Sequence, residues 1–130
     1  MKNHQLTPDE LCKKGEALAG KILKKKGYKI LKRNYVSKYG KIDIVAYDNG
    51  IICFVEVKTR QSENYGPPEL AVTKEKRKRI VRTALNYLMI NNIEDTDCRF
   101  DVVSILYKED VNKPDIELLE SAFTADGIVN

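Results

Sequence analysis

The 130 residues, 42% hydrophobic and 32% charged, suit one domain that buries about two-thirds of its unfolded surface, and no apolar run nears the roughly 20 residues of a membrane-spanning helix. Three cysteines without CxxC spacing and a single histidine, His4, argue against a disulfide framework, a zinc site, a Ser-His-Asp triad and a His-based metallonuclease. The net charge of +4 divides unevenly: residues 1–107 hold 21 Lys/Arg against 13 Asp/Glu (+8), and residues 108–130 hold 2 against 6 (−4).

A basic body with an acidic tail points to a polyanionic partner; a merely solvated basic surface is the alternative. "MKNHQLTPDE" lacks a signal-peptide apolar core, so a cytosolic, cytoplasmic location without a membrane partner is expected. Cys12, Cys53 and Cys98 read as small buried side chains.

Thr7-Pro8-Asp9-Glu10 marks a helix start: Thr7 caps, Pro8 suits the first helical position, and Glu10 completes a capping box. That helix is predicted to run to Lys26 and stop at Gly27, with Leu11, Leu18, Ile22 and Leu23 as its apolar stripe and Glu16 at the margin. Residues 28–36 alternate as a first strand. Residues 41–48 and 51–58, rich in Ile and Val and joined by Asn49-Gly50, make a β-hairpin. "TRQSENYGPP" (59–68) is a polar loop. A second helix over residues 73–91 buries Val81, Ala84, Leu85 and Leu88; residues 99–107 form another strand, and 115–119 a short edge strand. The order αβββαβ(β), a hairpin followed by a helical crossover, implies an α/β (α+β) fold with one mixed sheet flanked by helices.

Charged residues interrupt the hairpin. With a two-residue turn, Asp43 falls opposite Glu56, Lys41 opposite Lys58 and Val45 opposite Phe54, all on one face. Ile42, Ile44, Ala46, Ile51, Cys53, Val55 and Val57 make the other face, read as the core. Opposed carboxylates have Cβ atoms about 5 Å apart and destabilise the pair, so something positive belongs between them. A divalent cation such as Mg²⁺, which takes one or two carboxylates plus waters and substrate phosphates, serves that purpose. Lys58 points to the same side, and acid, acid and lysine together suit phosphodiester hydrolysis. The plainer alternative is a solvated sheet end with surface ion pairs, worth about 0–1 kcal/mol each.

Lys74, Lys76, Arg77, Lys78, Arg79 and Arg82 crowd the start of the second helix against Glu75 alone. Cations there oppose the helix macrodipole by about 0.3–1 kcal/mol each, so the run reads as a phosphate-binding surface rather than a merely solvated face. Arg60 and Tyr65 in the preceding loop could close over a nucleic-acid backbone, with Tyr65 stacking on a base or sugar. No base-reading motif is visible, which favours recognition by shape and charge.

"GKID" followed by "VEVK" resembles the D…ExK core of the PD-(D/E)XK nuclease superfamily. The wider series "KGEALAGKILKKKGYKILKRNY", "FVEVKTR", "YGPPELAVTKEKRKRI" and "RFDVV" closely resembles the YraN family of predicted endonucleases, similar in fold to Holliday-junction resolvases. The likeness spans residues 14 to about 107 in order, and "SAF" near the end also fits. It implies a restriction-endonuclease-like core in a single nuclease-like domain over residues 1–130, with 108–130 as an acidic C-terminal segment. It also implies an endonuclease dependent on Mg²⁺ or Mn²⁺ and acting on DNA, including branched or repair-intermediate DNA.

On that likeness Asp43 and Glu56 match the metal-binding acids, the Val57 carbonyl a further ligand, and Glu16 the first-helix acid that often completes the site. Lys58 matches the lysine that positions or deprotonates the attacking water. Junction resolvases need two active sites and are dimers, which leaves a homodimer open. One departure stands out: the family's G-E-I-D is here Gly40-Lys41-Ile42-Asp43. A base beside Lys58 weakens metal binding by Coulomb repulsion, unless it contacts a substrate phosphate. Two alternatives therefore stand beside the endonuclease: a non-catalytic or weakly catalytic nucleic-acid-binding protein on the nuclease scaffold, and a protein-interaction domain using the acidic tail.

Overall fold

The structure, a computed structural model, describes residues 6–61, 72–108, 110 and 112–125. In chain order it holds α1 (Pro8–Lys25), β1 (Lys29–Ser37), β2 (Gly40–Asp48), β3 (Ile51–Arg60), α2 (Lys74–Ile90), β4 (Asp97–Leu106) and β5 (Asp115–Phe123). The capping box of α1 is formed: Thr7 Oγ1 accepts the Glu10 N–H at 3.1 Å, and Glu10 Oε1 accepts the Thr7 N–H at 2.8 Å. No described helix is long and apolar enough to cross a membrane.

The strands lie in the order β1-β2-β3-β4-β5. Asn49 (φ 49) and Gly50 (φ 85) both take left-handed conformations, as a tight hairpin turn requires, and Asp48 pairs with Ile51. β3 and β4 run parallel because α2 carries the chain back between them; the other neighbours are antiparallel. This mixed sheet with two helices is an α+β arrangement consistent with a restriction-endonuclease-like core. β5 extends past 119 to Phe123, whose ring stacks on Phe100 with centroids 5.0 Å apart.

The sheet is buried on both faces, not on one as the hairpin pattern suggested. Under α1 lie Ile44, Ala46, Cys53 and Val55 with Leu11, Ala19 and Leu23. On the other face Val45, Ile52 and Phe54 pack with Ile80, Val81, Ala84 and Tyr87 of α2. Ile42 belongs to this second cluster, so Ile42 and Ile44 face opposite sides although they are two residues apart. The alternation slips at Asp43, where the neighbouring Asn34 of β1 has φ 53.

The stripe of α2 is rotated from the predicted one: Leu85 is exposed while Ile80, Thr83 and Tyr87 are buried. A stripe read from Leu and Val spacing passes over residues whose rings or hydroxyls also pack. Of the cysteines only Cys53 is buried; Cys12 and Cys98 are exposed, since Cys12 lies off the stripe of α1 and Cys98 at the open end of β4.

On β4, Asp101 pairs with Val55 of β3 and is 0% exposed. It accepts hydrogen bonds from Arg99 Nε (3.0 Å) and the Ser121 N–H (2.9 Å), while the Tyr28 hydroxyl donates to Glu120 at 3.1 Å. The network is set where the β4–β5 register shifts between Phe100 and Val102, so the bulge leaves Asp101 buried with its charge matched by Arg99.

Candidate functional site

The chemistry-bearing residues meet where the β2–β3 ladder ends. Its last pair is Ile44–Val55. Beyond it the Asp43 side chain replaces a ladder bond, its Oδ2 accepting the Val57 N–H at 2.8 Å. Asp43 and Glu56, next in register, thus sit together at a fork in the sheet, each 6% exposed. α1 brings Glu16 to the same place because Gly15 lets the helix lie close on β3: a Cβ there would stand 2.6 Å from Thr59 Oγ1.

Glu16, Lys41, Asp43, Glu56, Val57, Lys58, Lys76 and Arg79 line one cleft of ≈ 680 Å³, with Cys12, Asn34 and Thr59 among its other walls. The acids are matched by lysines. Lys41 Nζ lies 3.2 Å from Asp43 Oδ1 and 3.9 Å from Glu16 Oε2. Lys76 Nζ, from the first turn of α2, lies 2.6 Å from Glu56 Oε2.

Burial, and next the facing Asp43 carboxylate, push the Glu56 carboxyl up to about 7 against the opposing pull of Lys76. Burial and then Asp43 also raise Glu16, while Lys41 counteracts. Burial and the adjoining Lys76 ammonium lower Lys58, which favours its neutral amine. For Lys41 and Lys76 burial acts downward, but the carboxylates they touch outweigh it and both are raised.

The predicted opposition of Lys41 and Lys58 does not occur. The strands diverge after Ile44, Lys41 pairs with Val36 on β1, and its amine turns to Asp43 and Glu16. The cation beside Lys58 is Lys76. Of the basic set read as phosphate-binding, Lys76 and Arg79 line the cleft, whereas Lys74, Lys78 and Arg60 do not. Lys78 pairs with Glu75 at 3.8 Å, and Arg60 is half-buried at the end of β3. Arg77 turns inward: its Nε donates to the Val72 carbonyl at 3.0 Å, and its guanidinium lies 5.4 Å from the Phe123 ring centre. The apolar neighbours of α2 on that side give its long stem more to cover than solvent would. Tyr65 lies outside the described residues.

The role of Lys76 escaped the sequence reading, which placed it among phosphate contacts. A signal was present: Thr73 caps α2 by accepting the Lys76 N–H at 3.2 Å, so Lys76 occupies the position where a capping box carries Glu or Gln. A cation there calls for an acidic partner from another element.

Among the described residues no group of three or more His, Cys, Asp or Glu is arranged to hold a metal ion. The donor set nevertheless suits a hard divalent cation. Two abutting buried carboxylates supply oxygen donors, and Mg²⁺ commonly takes one or two carboxylates, filling its shell with water and phosphate. Asp43 and Glu56 bring two carboxylates together, and the ammonium of Lys76 supplies a positive charge beside them.

The family model described as "Uncharacterised protein family UPF0102" matches residues 15–105. Among similar proteins, a UPF0102 protein of Prosthecochloris aestuarii is 43% identical over 125 residues, covering 93% of this chain and 98% of the relative. One from Lachnoclostridium phytofermentans is 47% identical over 113 residues, 86% of this chain and 91% of the relative. One from Geobacter metallireducens is 48% identical over 113 residues, 87% and 91% respectively. The matched span takes in the fork, Glu16, both acids of the sheet and the start of α2, and with identity at this level over most of both chains it follows that the protein belongs to the UPF0102 family.

Proposed function

We propose that this protein is a Mg²⁺- or Mn²⁺-dependent endonuclease that hydrolyses phosphodiester bonds in DNA, on a nuclease core of the PD-(D/E)XK type. The observation that carries the reading is the pair of buried carboxylates, Asp43 and Glu56, held together at the fork of the sheet in one cleft with Lys58, Lys76 and Arg79. Asp43 and Glu56 hold the cation, with the Val57 carbonyl as a further oxygen donor and Glu16 at the margin. Such an ion, when bound, supplies Lewis-acid polarisation of the phosphate and favours ionisation of the attacking water. Lys58, its basicity lowered by burial and by Lys76, orients that water and accepts its proton. Arg79 on the cleft wall meets phosphate oxygens with charge-assisted hydrogen bonds. Branched or repair-intermediate DNA as substrate, and a homodimer presenting two such clefts, extend the reading by analogy with junction resolvases.

The test is a cleavage panel over junction, flap, single-stranded and duplex DNA with Mg²⁺ and Mn²⁺. In Asp43→Asn the side-chain oxygen can still accept the Val57 N–H, so the fold is kept while the anionic pair is broken; cleavage should vanish and DNA binding persist. Equal cleavage by parent and variant would sink the assignment. One observation favours a second reading, a nucleic-acid-binding protein without turnover: Lys41 and Lys76 already neutralise the acids. Salt-sensitive DNA binding with no Mn²⁺-dependent rise in melting temperature supports that alternative.

A further inference from the structure

Lys76 joins two surfaces that the proposed function uses separately. Its ammonium lies on Glu56 at 2.6 Å, while its side chain remains 34% exposed and that of Glu56 only 8%. One end of this ion pair is fixed on a core strand; the other hangs on a flexible four-carbon stem at the cleft rim. Lys58 is alongside Lys76, and the Lys76 ammonium is the one that pairs with Glu56. A divalent cation at Glu56 therefore finds a positive charge already in place. A phosphate entering the cleft passes Lys76 and Arg79, and offers Lys76 an anion that the strand does not hold fixed.

We infer that Lys76 is a displaceable counter-ion that couples the two ligands: a phosphate backbone draws Lys76 off Glu56, and the carboxylate so released takes the divalent cation. This inference rests on the proposed metal role of Asp43 and Glu56. Without polyanion, Lys76 keeps the acids neutral and metal affinity low; with polyanion, metal affinity rises. By linkage the metal raises affinity for the polyanion by the same factor. Lys41 cannot play the same part, because its amine is shared between Asp43 and Glu16 and stays with an acid when either contact is lost.

The experiment measures Mn²⁺ binding by electron paramagnetic resonance, in protein alone and with a short DNA duplex after subtraction of duplex-only binding. The parent is compared with Lys76→Met, Lys76→Arg, Asp43→Asn and the remote charge control Lys24→Met. Lys76→Met should bind Mn²⁺ about tenfold more tightly than the parent without DNA and show several-fold less enhancement by the duplex. Lys76→Arg should keep the low affinity of the parent, since it restores the counter-ion, and Lys24→Met should behave as parent. Retained far-ultraviolet circular dichroism confirms that each variant is folded. Equal Mn²⁺ affinity in parent and Lys76→Met, with binding lost in Asp43→Asn, overturns the coupling and leaves the metal site standing. Binding that is absent from the parent, or indifferent to Asp43→Asn, overturns the coupling together with the functional reading on which it rests.

Discussion

Replacing Glu56 with glutamine removes a charge that the fold holds in an unfavourable place. Burial and the Asp43 carboxylate raise this carboxyl from 4.5 to about 7, so near pH 6 the folded protein keeps a proton that the unfolded chain has released. The stability linked to Glu56 is therefore complete below about pH 4.5 and is lost as the pH climbs through about 7. At about 1.4 kcal/mol per pH unit, that span sets a ceiling of about 3 kcal/mol. Glutamine carries no charge at any pH and escapes the loss. The variant gives up the Lys76 contact, but Lys76, 34% exposed, can turn its ammonium to water, which limits that cost to about 1 kcal/mol. The net expectation is a gain of about 1–2 kcal/mol at about pH 8, falling to nothing or a slight loss at about pH 4.5. Urea denaturation of parent and variant at both pH values, at fixed salt and without divalent cation, reads the difference as a shift in midpoint. A gap of equal size at the two pH values, or a variant less stable than the parent at the higher one, refutes the reasoning.

Three further predictions concern the supports of the site. Asp101→Ala should lower stability by about 3–5 kcal/mol, because Arg99 keeps its charge with its closest partner gone; denaturation should show Arg99→Met in the same chain recovering part of the loss. Gly15→Ala places a methyl 2.6 Å from Thr59 Oγ1, and overpacking of about 1–3 kcal/mol exceeds the helix-propensity gain of about 1 kcal/mol. Thermal melting should fall in Gly15→Ala and rise when the same change is made in Thr59→Ala. Lys41→Glu takes the counter-ion from Asp43 and Glu16, so the metal-free protein should melt several degrees lower while Mn²⁺ lifts its melting temperature more than the parent's; equal Mn²⁺ shifts would count against a cation at these acids.

Several elements were legible because their causes are local. Thr7-Pro8-Asp9-Glu10 specifies a helix start through contacts three residues apart, and the observed cap contains those bonds. Asn49-Gly50 sets the hairpin and, with it, the register down to Ile44–Val55. That register brought Asp43 beside Glu56 before any packing was considered. The strand alternation misled at Asp43, where the left-handed Asn34 of β1 and the side-chain bond to Val57 end the regular ladder. The fork thus depends on one contact inside the hairpin and on the conformation of β1 beside it, which the spacing of apolar residues does not mark.

The sequence by itself determined where chain direction changes, which strands carry acids and that the start of α2 is basic, since turn chemistry, capping and charge are properties of neighbouring residues. Only the tertiary structure decided which lysine meets which acid. Long flexible side chains settle on whatever opposite charge burial leaves nearby: Lys41 turns from the predicted neighbour Lys58 to Asp43 and Glu16, and Lys76 leaves the solvent face of α2 for Glu56. The pairing that balances this cleft arises between elements distant in the chain, where the desolvated carboxylates of one call for the cations of another.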